Sequence, residues 1–140
     1  GPNDNFDLKT SHVLPAMIRK FHEAKLNGNS TVELWGTGSP MREFLHVDDL
    51  AKVTLFFIEN SFDEHLYNVG SGIDLTIKEL AELIQQTIGH KGKIEWDNTK
   101  PDGTPKKQLD ITKIKLLGYS PSIRLEEGVK ATYQWYLENK

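Results

Sequence analysis

Residues 31–60 read TVELWGTGSPMREFLHVDDLAKVTLFFIEN. TVELW alternates apolar and polar side chains and is rich in β-formers, GTGSP is turn chemistry, and REFLHV is a second alternating run. Residues 31 to 47 therefore read as a strand, a turn and a strand, the two runs being able to form a hairpin. Asp48 or Asp49 can then cap a helix through LAKVTLFFIEN. The apolar residues of that helix, Leu50, Ala51, Val53, Leu55, Phe56, Phe57 and Ile58, run nearly all the way round instead of forming one stripe. A helix of this kind expects burial on more than one face.

The flanking sequence continues the alternation of element types. Upstream, GPNDNFDLKTS is turn-forming and aperiodic, an irregular loop. HVLPAMIRKFHEAK then carries Val13, Leu14, Met17, Ile18 and Phe21 at helical spacing, with Pro15 in the first turn where its missing N–H costs little. Downstream, LYNVG reads as a short strand closed by Gly70. In SGIDLTIKELAELIQQTIGHKG, Thr76 and Glu79 form a capping box, Ile77, Leu80, Ala81, Ile84 and Ile88 make one stripe, and Gly89 supplies a left-handed stop. KIEWD is another strand. KPDGTPKKQLD, residues 100 to 110, is a proline-bracketed loop, after which Asp110 caps ITKIKLLG and a last helix starts near Leu125, burying Leu125, Val129, Tyr133 and either Tyr136 or Leu137. The class is α/β, with short strands and four to five helices.

The 140 residues suffice for one domain with a real core, and 37% hydrophobic with 26% charged residues is an ordinary globular balance. A net charge of −3 without blocks of like charge argues against nucleic-acid or polybasic membrane binding. The absence of cysteine removes thiolate catalysis and thiolate metal sites. No apolar run approaches the roughly 20 residues that span a bilayer, and the expected location is cytoplasmic.

Spacing alone assembles no complete catalytic set: there is no metal-ligand His pair and no phosphate-cradling glycine loop. Four features remain. Trp35 and Arg42 flank the GTGSPM turn, one offering a stacking face and the other a bidentate phosphate donor, although Trp packing and a surface ion pair account for them equally well. Lys20 is a residue type more often solvated than liganded. His12 has a side chain suited to proton transfer, yet a lone His is more often structural.

Taken together, GPNDNFDLKTSHVLPAMIRKFHEA, ELWGTGSPMREFLHVDDLA, YNVGSG and KPDGTPKKQLD resemble, in this order, the C-terminal portion of the GDP-L-fucose synthase family. REFLHVDDLA and NVGSG are shared across extended short-chain dehydrogenases acting on nucleotide sugars; DNFDLKTSHVLPAMIRKF, GSPMREF and KPDGTPKKQLD narrow the likeness. The resemblance implies an extended short-chain dehydrogenase of NAD(P)-binding Rossmann type. Residues 1–140 would be its C-terminal fragment, mainly the nucleotide-sugar-binding domain, with the helix at about 49–60 packing on an N-terminal Rossmann domain. The implied enzyme converts GDP-4-keto-6-deoxy-D-mannose to GDP-L-fucose by 3,5-epimerisation and NADPH-dependent 4-keto reduction, as a homodimer.

By the same resemblance His12 is the proton donor and touches the NADPH cofactor, which is bound mainly by the N-terminal domain. Lys20, Trp35, Arg42 and Asp102 contact the GDP-sugar. Position 20 is Lys where some members carry Arg, which keeps the charge and loses the fork. The segment alone is expected to be inactive, since the family's Tyr-x-x-x-Lys and catalytic Cys lie outside it. The alternatives are another nucleotide-sugar epimerase, dehydratase or reductase of the superfamily, and a non-catalytic binding module.

Overall fold

The computed structural model of the chain describes residues 1–62 and 66–140. Among them run α1 (Val13–Leu26), β1 (Thr31–Trp35), β2 (Met41–Glu43), α2 (Val47–Glu59), β3 (Asp74–Thr76), α3 (Ile77–Ile88), β4 (Lys93–Asp97), β5 (Lys106–Lys107), α4 (Thr112–Leu116) and α5 (Leu125–Asn139). β1 and β4 pair in parallel, Thr31 opposite Lys93 and Trp35 opposite Asp97. A parallel pair needs a long crossover, and the chain between them supplies it through α2 and α3. The second sheet has the order β3–β2–β5, antiparallel then parallel.

The main core lies where α1, α3 and α5 meet the β1–β4 pair. Met17, Ile18, Phe21 and Ala24 of α1 and Leu80, Ala81, Ile84 and Ile88 of α3 pack with Val32, Leu34, Val129 and Tyr136. The α3 capping box forms as the sequence predicts: the Thr76 hydroxyl accepts from the Glu79 N–H at 3.1 Å, and the Glu79 carboxylate accepts from the Thr76 N–H at 2.7 Å. Gly89 closes the helix at φ 77°. In α5, Val129 and Tyr136 are buried, Leu125 and Tyr133 half-buried, and Leu137 exposed. The N-terminal loop is irregular, yet Phe6 is buried within it, stacked on Trp135 and tilted against Tyr136. Aperiodic sequence gives no sign of such an anchor.

Three expectations need correction. First, β1 and β2 are not a hairpin; they enter different sheets. The turn between them takes Gly36 and Gly38 to φ 81° and 76°. The carbonyls of Gly38 and Pro40 then accept from the Lys78 and Ile77 N–H groups, both at 2.9 Å, which carries β2 to the start of α3 and away from β1. Second, LYNVG is not a strand. Tyr67 and Val69 pack on a smaller cluster of Val53, Ile111 and Ile114, and the strand comes after Gly72.

Third, α2 is capped by His46, whose Nδ1 accepts from the Asp48 N–H at 3.2 Å. Asp49 is buried and turned inward instead, its carboxylate accepting from the Ser122 hydroxyl at 2.6 Å and from the Ser122 and Ile123 N–H groups at 3.0 and 2.9 Å. In α2, Leu50, Leu55 and Ile58 are 47%, 56% and 74% exposed, so the described residues do not themselves cover a second face of the helix. Phe57 turns in toward the small cluster, leaving a continuous apolar face uncovered. The loop at 100 to 110 also contains a strand the sequence does not announce, β5, which lies beside Met41 and Arg42. No described helix is long and apolar enough to cross a membrane.

Candidate functional site

Trp35 is the last residue of β1, and the alternation that buries Val32 and Leu34 turns it outward, 65% exposed. Its indole is flanked by two cations, Lys20 Nζ at 5.8 Å and Lys100 Nζ at 5.7 Å from the ring centroid. Lys20 is held there by α1, and its ammonium donates to the Glu33 carbonyl at 3.0 Å. Arg42 lies in β2 and is half-buried, with Nη1 donating to the Met41 carbonyl at 2.7 Å. Asp102 comes from the loop after β4. These chain-distant residues meet: Trp35, Arg42 and Asp102, with Val13, Gly38, Pro40, Ile77 and Pro101, line one cleft of about 150 Å³. Pockets for drug-sized ligands measure roughly 300–1,000 Å³, so the cleft accommodates one end of a nucleotide-sized molecule.

The Asp102 carboxylate is already engaged, accepting from the Thr37 N–H at 2.6 Å and from the Thr37 hydroxyl at 2.7 Å. Those two donors hold it below the ordinary carboxylate range. The bond explains Gly36, where a Cβ would overlap the Asp102 carboxylate; Gly38 answers to a different neighbour, since a Cβ there would come within 2.7 Å of the Trp96 ring.

His12 does not share the cleft. It is the N-cap residue of α1 and lines a second cavity of about 180 Å³, with Asp4, Phe44, His46, Arg124 and Gly128 among its walls. Val13 borders both spaces, so the two lie on either side of the start of α1. The N-cap residues of three helices, His12 of α1, His46 of α2 and Arg124 of α5, line this cavity. Helix N-termini carry partial positive charge, and the His46 ring, 7% exposed, leaves Nε2 without a partner. The space therefore favours acceptor or anionic groups.

Sequence reasoning missed Lys100, Thr37, His46 and Arg124. Nothing in their spacing could have revealed Lys100 over Trp35, or Arg124 lining the same cavity as His12, because those meetings join distant segments. The GTG flanks of Thr37 marked a tight turn without naming its partner.

Across proteins of known type, the profile described as the NAD dependent epimerase/dehydratase family matches residues 1–70. The chain belongs to this family, and the α/β arrangement of short strands and five helices among its described residues is that of the extended short-chain dehydrogenase, Rossmann-type superfamily. It is 57% identical over 140 residues to putative GDP-L-fucose synthase 2 of Arabidopsis thaliana, covering 99% of this chain and 42% of the relative. With GDP-L-fucose synthase 1 of the same plant the identity is 54% over 139 residues, 99% and 43% covered. A crystal structure of a GDP-L-fucose synthetase from Naegleria fowleri bound to NADP superposes with a TM-score of 0.92 at 31% identity, over 99% of this chain and 44% of that one. The chain thus spans less than half the length of these relatives.

Proposed function

We propose that this chain forms the nucleotide-sugar-binding part of an NADPH-dependent epimerase/reductase of the GDP-L-fucose synthase type, acting on GDP-4-keto-6-deoxy-D-mannose. The observation that carries the reading is the convergence of Trp35, Arg42 and Asp102 on one cleft, with Lys20 and Lys100 beside the indole. An exposed aromatic face takes a flat base by stacking, worth about 1–3 kcal/mol. The guanidinium offers paired donors to a diphosphate, with the two ammonium groups adding positive potential. Asp102 and Pro101 form the opposite lip. The similarity to GDP-sugar enzymes supports a guanosine nucleotide.

In this reading the keto sugar extends past Val13 toward the cavity that His12 lines. Epimerisation next to a ketone removes a proton from one face and returns one on the other. His12, whose imidazole can give up and regain a proton, is the donor of the returned proton, and the neighbouring helix N-termini favour the negative charge developing on the ketone oxygen.

The described residues do not themselves fit a dinucleotide cradle. The glycine turn after β1 leads to a strand and not to a helix start, and β3 enters α3 through a capping box already occupied by its own side chains. Bound NADPH would supply the hydride for the ketone, and its cradle falls to the portion of the enzyme's length beyond this chain. The exposed apolar face of α2 is the surface on which that Rossmann portion packs.

The test is calorimetric titration of the folded chain with GDP and with UDP, beside Trp35→Ala and Arg42→Ala checked for folding by circular dichroism. The reading expects GDP to bind more tightly than UDP, and each variant to weaken GDP about tenfold, the equivalent of ~1.4 kcal/mol. Equal affinities for wild type and both variants would overturn it.

A further inference from the structure

The segment from Lys100 to Pro105 is exposed throughout and crosses the mouth of the Trp35–Arg42 cleft. Its two ends are tied to the fold by backbone: the Lys100 N–H donates to the Asp97 carbonyl at 3.1 Å, and the Pro105 carbonyl accepts from the Met41 N–H at 2.8 Å, leading into β5. Its middle is held by a side chain, Asp102, gripping both donors of Thr37 at once. The grip is built into the turn. Gly36 and Gly38 adopt left-handed conformations on either side of Thr37, Gly36 leaves room for the carboxylate that a Cβ would take, and the Ser39 hydroxyl lies 2.7 Å from Thr37 Oγ1.

We infer that Asp102 and Thr37 act as a latch that seats the 100–105 strap over the cleft, making both of them positioning residues for nucleotide binding. This rests on the nucleotide-binding reading of the cleft. Charge-assisted hydrogen bonds are roughly twice as strong as neutral ones, and an exposed strap with its backbone in water needs such a tie to lose its freedom before ligand arrives. With the latch closed, Pro101 is held as a wall and Lys100 is kept over the indole face. With it open, the cleft loses that lip, and a nucleotide must order the strap as it binds.

The latch and a direct contact predict different mutant patterns. Thr37→Val removes the hydroxyl donor without touching Asp102, Thr37→Ser restores it, and Asp102→Ala removes both bonds. Amide hydrogen exchange, read without nucleotide, follows the Met41 N–H that Pro105 accepts from; GDP affinity is read by calorimetry. The latch expects faster Met41 exchange in Thr37→Val and Asp102→Ala, near-wild-type exchange in Thr37→Ser, and GDP weakened about tenfold by either loss but little further by the two combined, the signature of coupled residues. Met41 protection unchanged in both variants overturns the latch whatever GDP does. GDP weakened by Asp102→Ala but untouched by Thr37→Val overturns it too, in favour of a direct contact. A wild-type chain that binds no GDP while both variants release Met41 supports the latch and instead overturns the nucleotide reading.

Discussion

Asp49 shows how one carboxylate can organise two distant segments. It is 1% exposed, lies in the first turn of α2, and receives three hydrogen bonds from the Ser122–Ile123 backbone and the Ser122 hydroxyl, with Lys52 Nζ 3.6 Å away. Burial alone would raise its pKa; the Ser122 hydroxyl, the Ile123 and Ser122 N–H groups and Lys52 outweigh that and lower it. A carboxylate whose folded pKa is depressed stabilises the fold above its unfolded value of about 3.9, and that contribution disappears as pH falls through the folded value. Urea unfolding measured from pH 7 down to pH 3 should therefore show stability falling below about pH 4, and a flatter acid limb for Asp49→Ala. At neutral pH, Asp49→Ala leaves two backbone donors without their acceptor and should cost on the order of 2–4 kcal/mol. An unchanged midpoint would mean that water replaces the carboxylate at no loss.

Among the elements, α3 has both ends set by local sequence, a side-chain capping box at its start and Gly89 at its close. Its capping box satisfies orphan N–H groups at the start, and its buried stripe fills the centre of the core between α1 and α5. Replacing a Thr cap by Ala typically costs about 1 kcal/mol. Thr76→Ala is expected to lower the unfolding free energy read from urea titration by about that amount and to speed amide exchange in the first turn of α3, while Thr76→Ser stays close to wild type. Equal loss from Ala and Ser would mean that the methyl group's packing, and not the hydroxyl, holds the helix start. The β2 strand illustrates the opposite case. With three residues and partners on both sides, its place is set by β3 and β5 and by what its own Glu43 carboxylate reaches, the Gly72 and Leu109 N–H groups from which it accepts.

For the whole molecule, the apolar face of α2 distinguishes surface left open by this chain from its core. Val53 is buried in the small cluster, whereas Leu55 and Ile58 point to solvent. Exposed positions change stability by less than about 0.5 kcal/mol when substituted, while a contiguous apolar patch promotes association. Leu55→Ser and Ile58→Lys are expected to leave the unfolding free energy within that margin and to reduce self-association in sedimentation velocity. A loss above about 2 kcal/mol would place these side chains in a core, and unchanged sedimentation would remove the face from any role in association.

The parts of the fold legible in sequence are those governed by neighbours along the chain. The stripe at Leu80, Ala81, Ile84 and Ile88 follows from the helical period, Thr76 and Glu79 meet because three residues make almost one turn, and the Val32–Leu34 alternation turns Trp35 outward from a strand. Local geometry sets these before any tertiary contact forms. What required the folded chain was every choice among distant partners: β1 joining β4 and not β2, Asp49 reaching Ser122 instead of capping α2, Phe6 anchoring an aperiodic loop, and Lys100 and Thr37 entering the surroundings of the cleft. In each of these, hydrogen-bond donors, a charge or an apolar face could be satisfied locally or across the fold. The cross-fold partner prevailed because the core formed by α1, α3 and α5 brings it within reach, and sequence spacing carries no record of that distance.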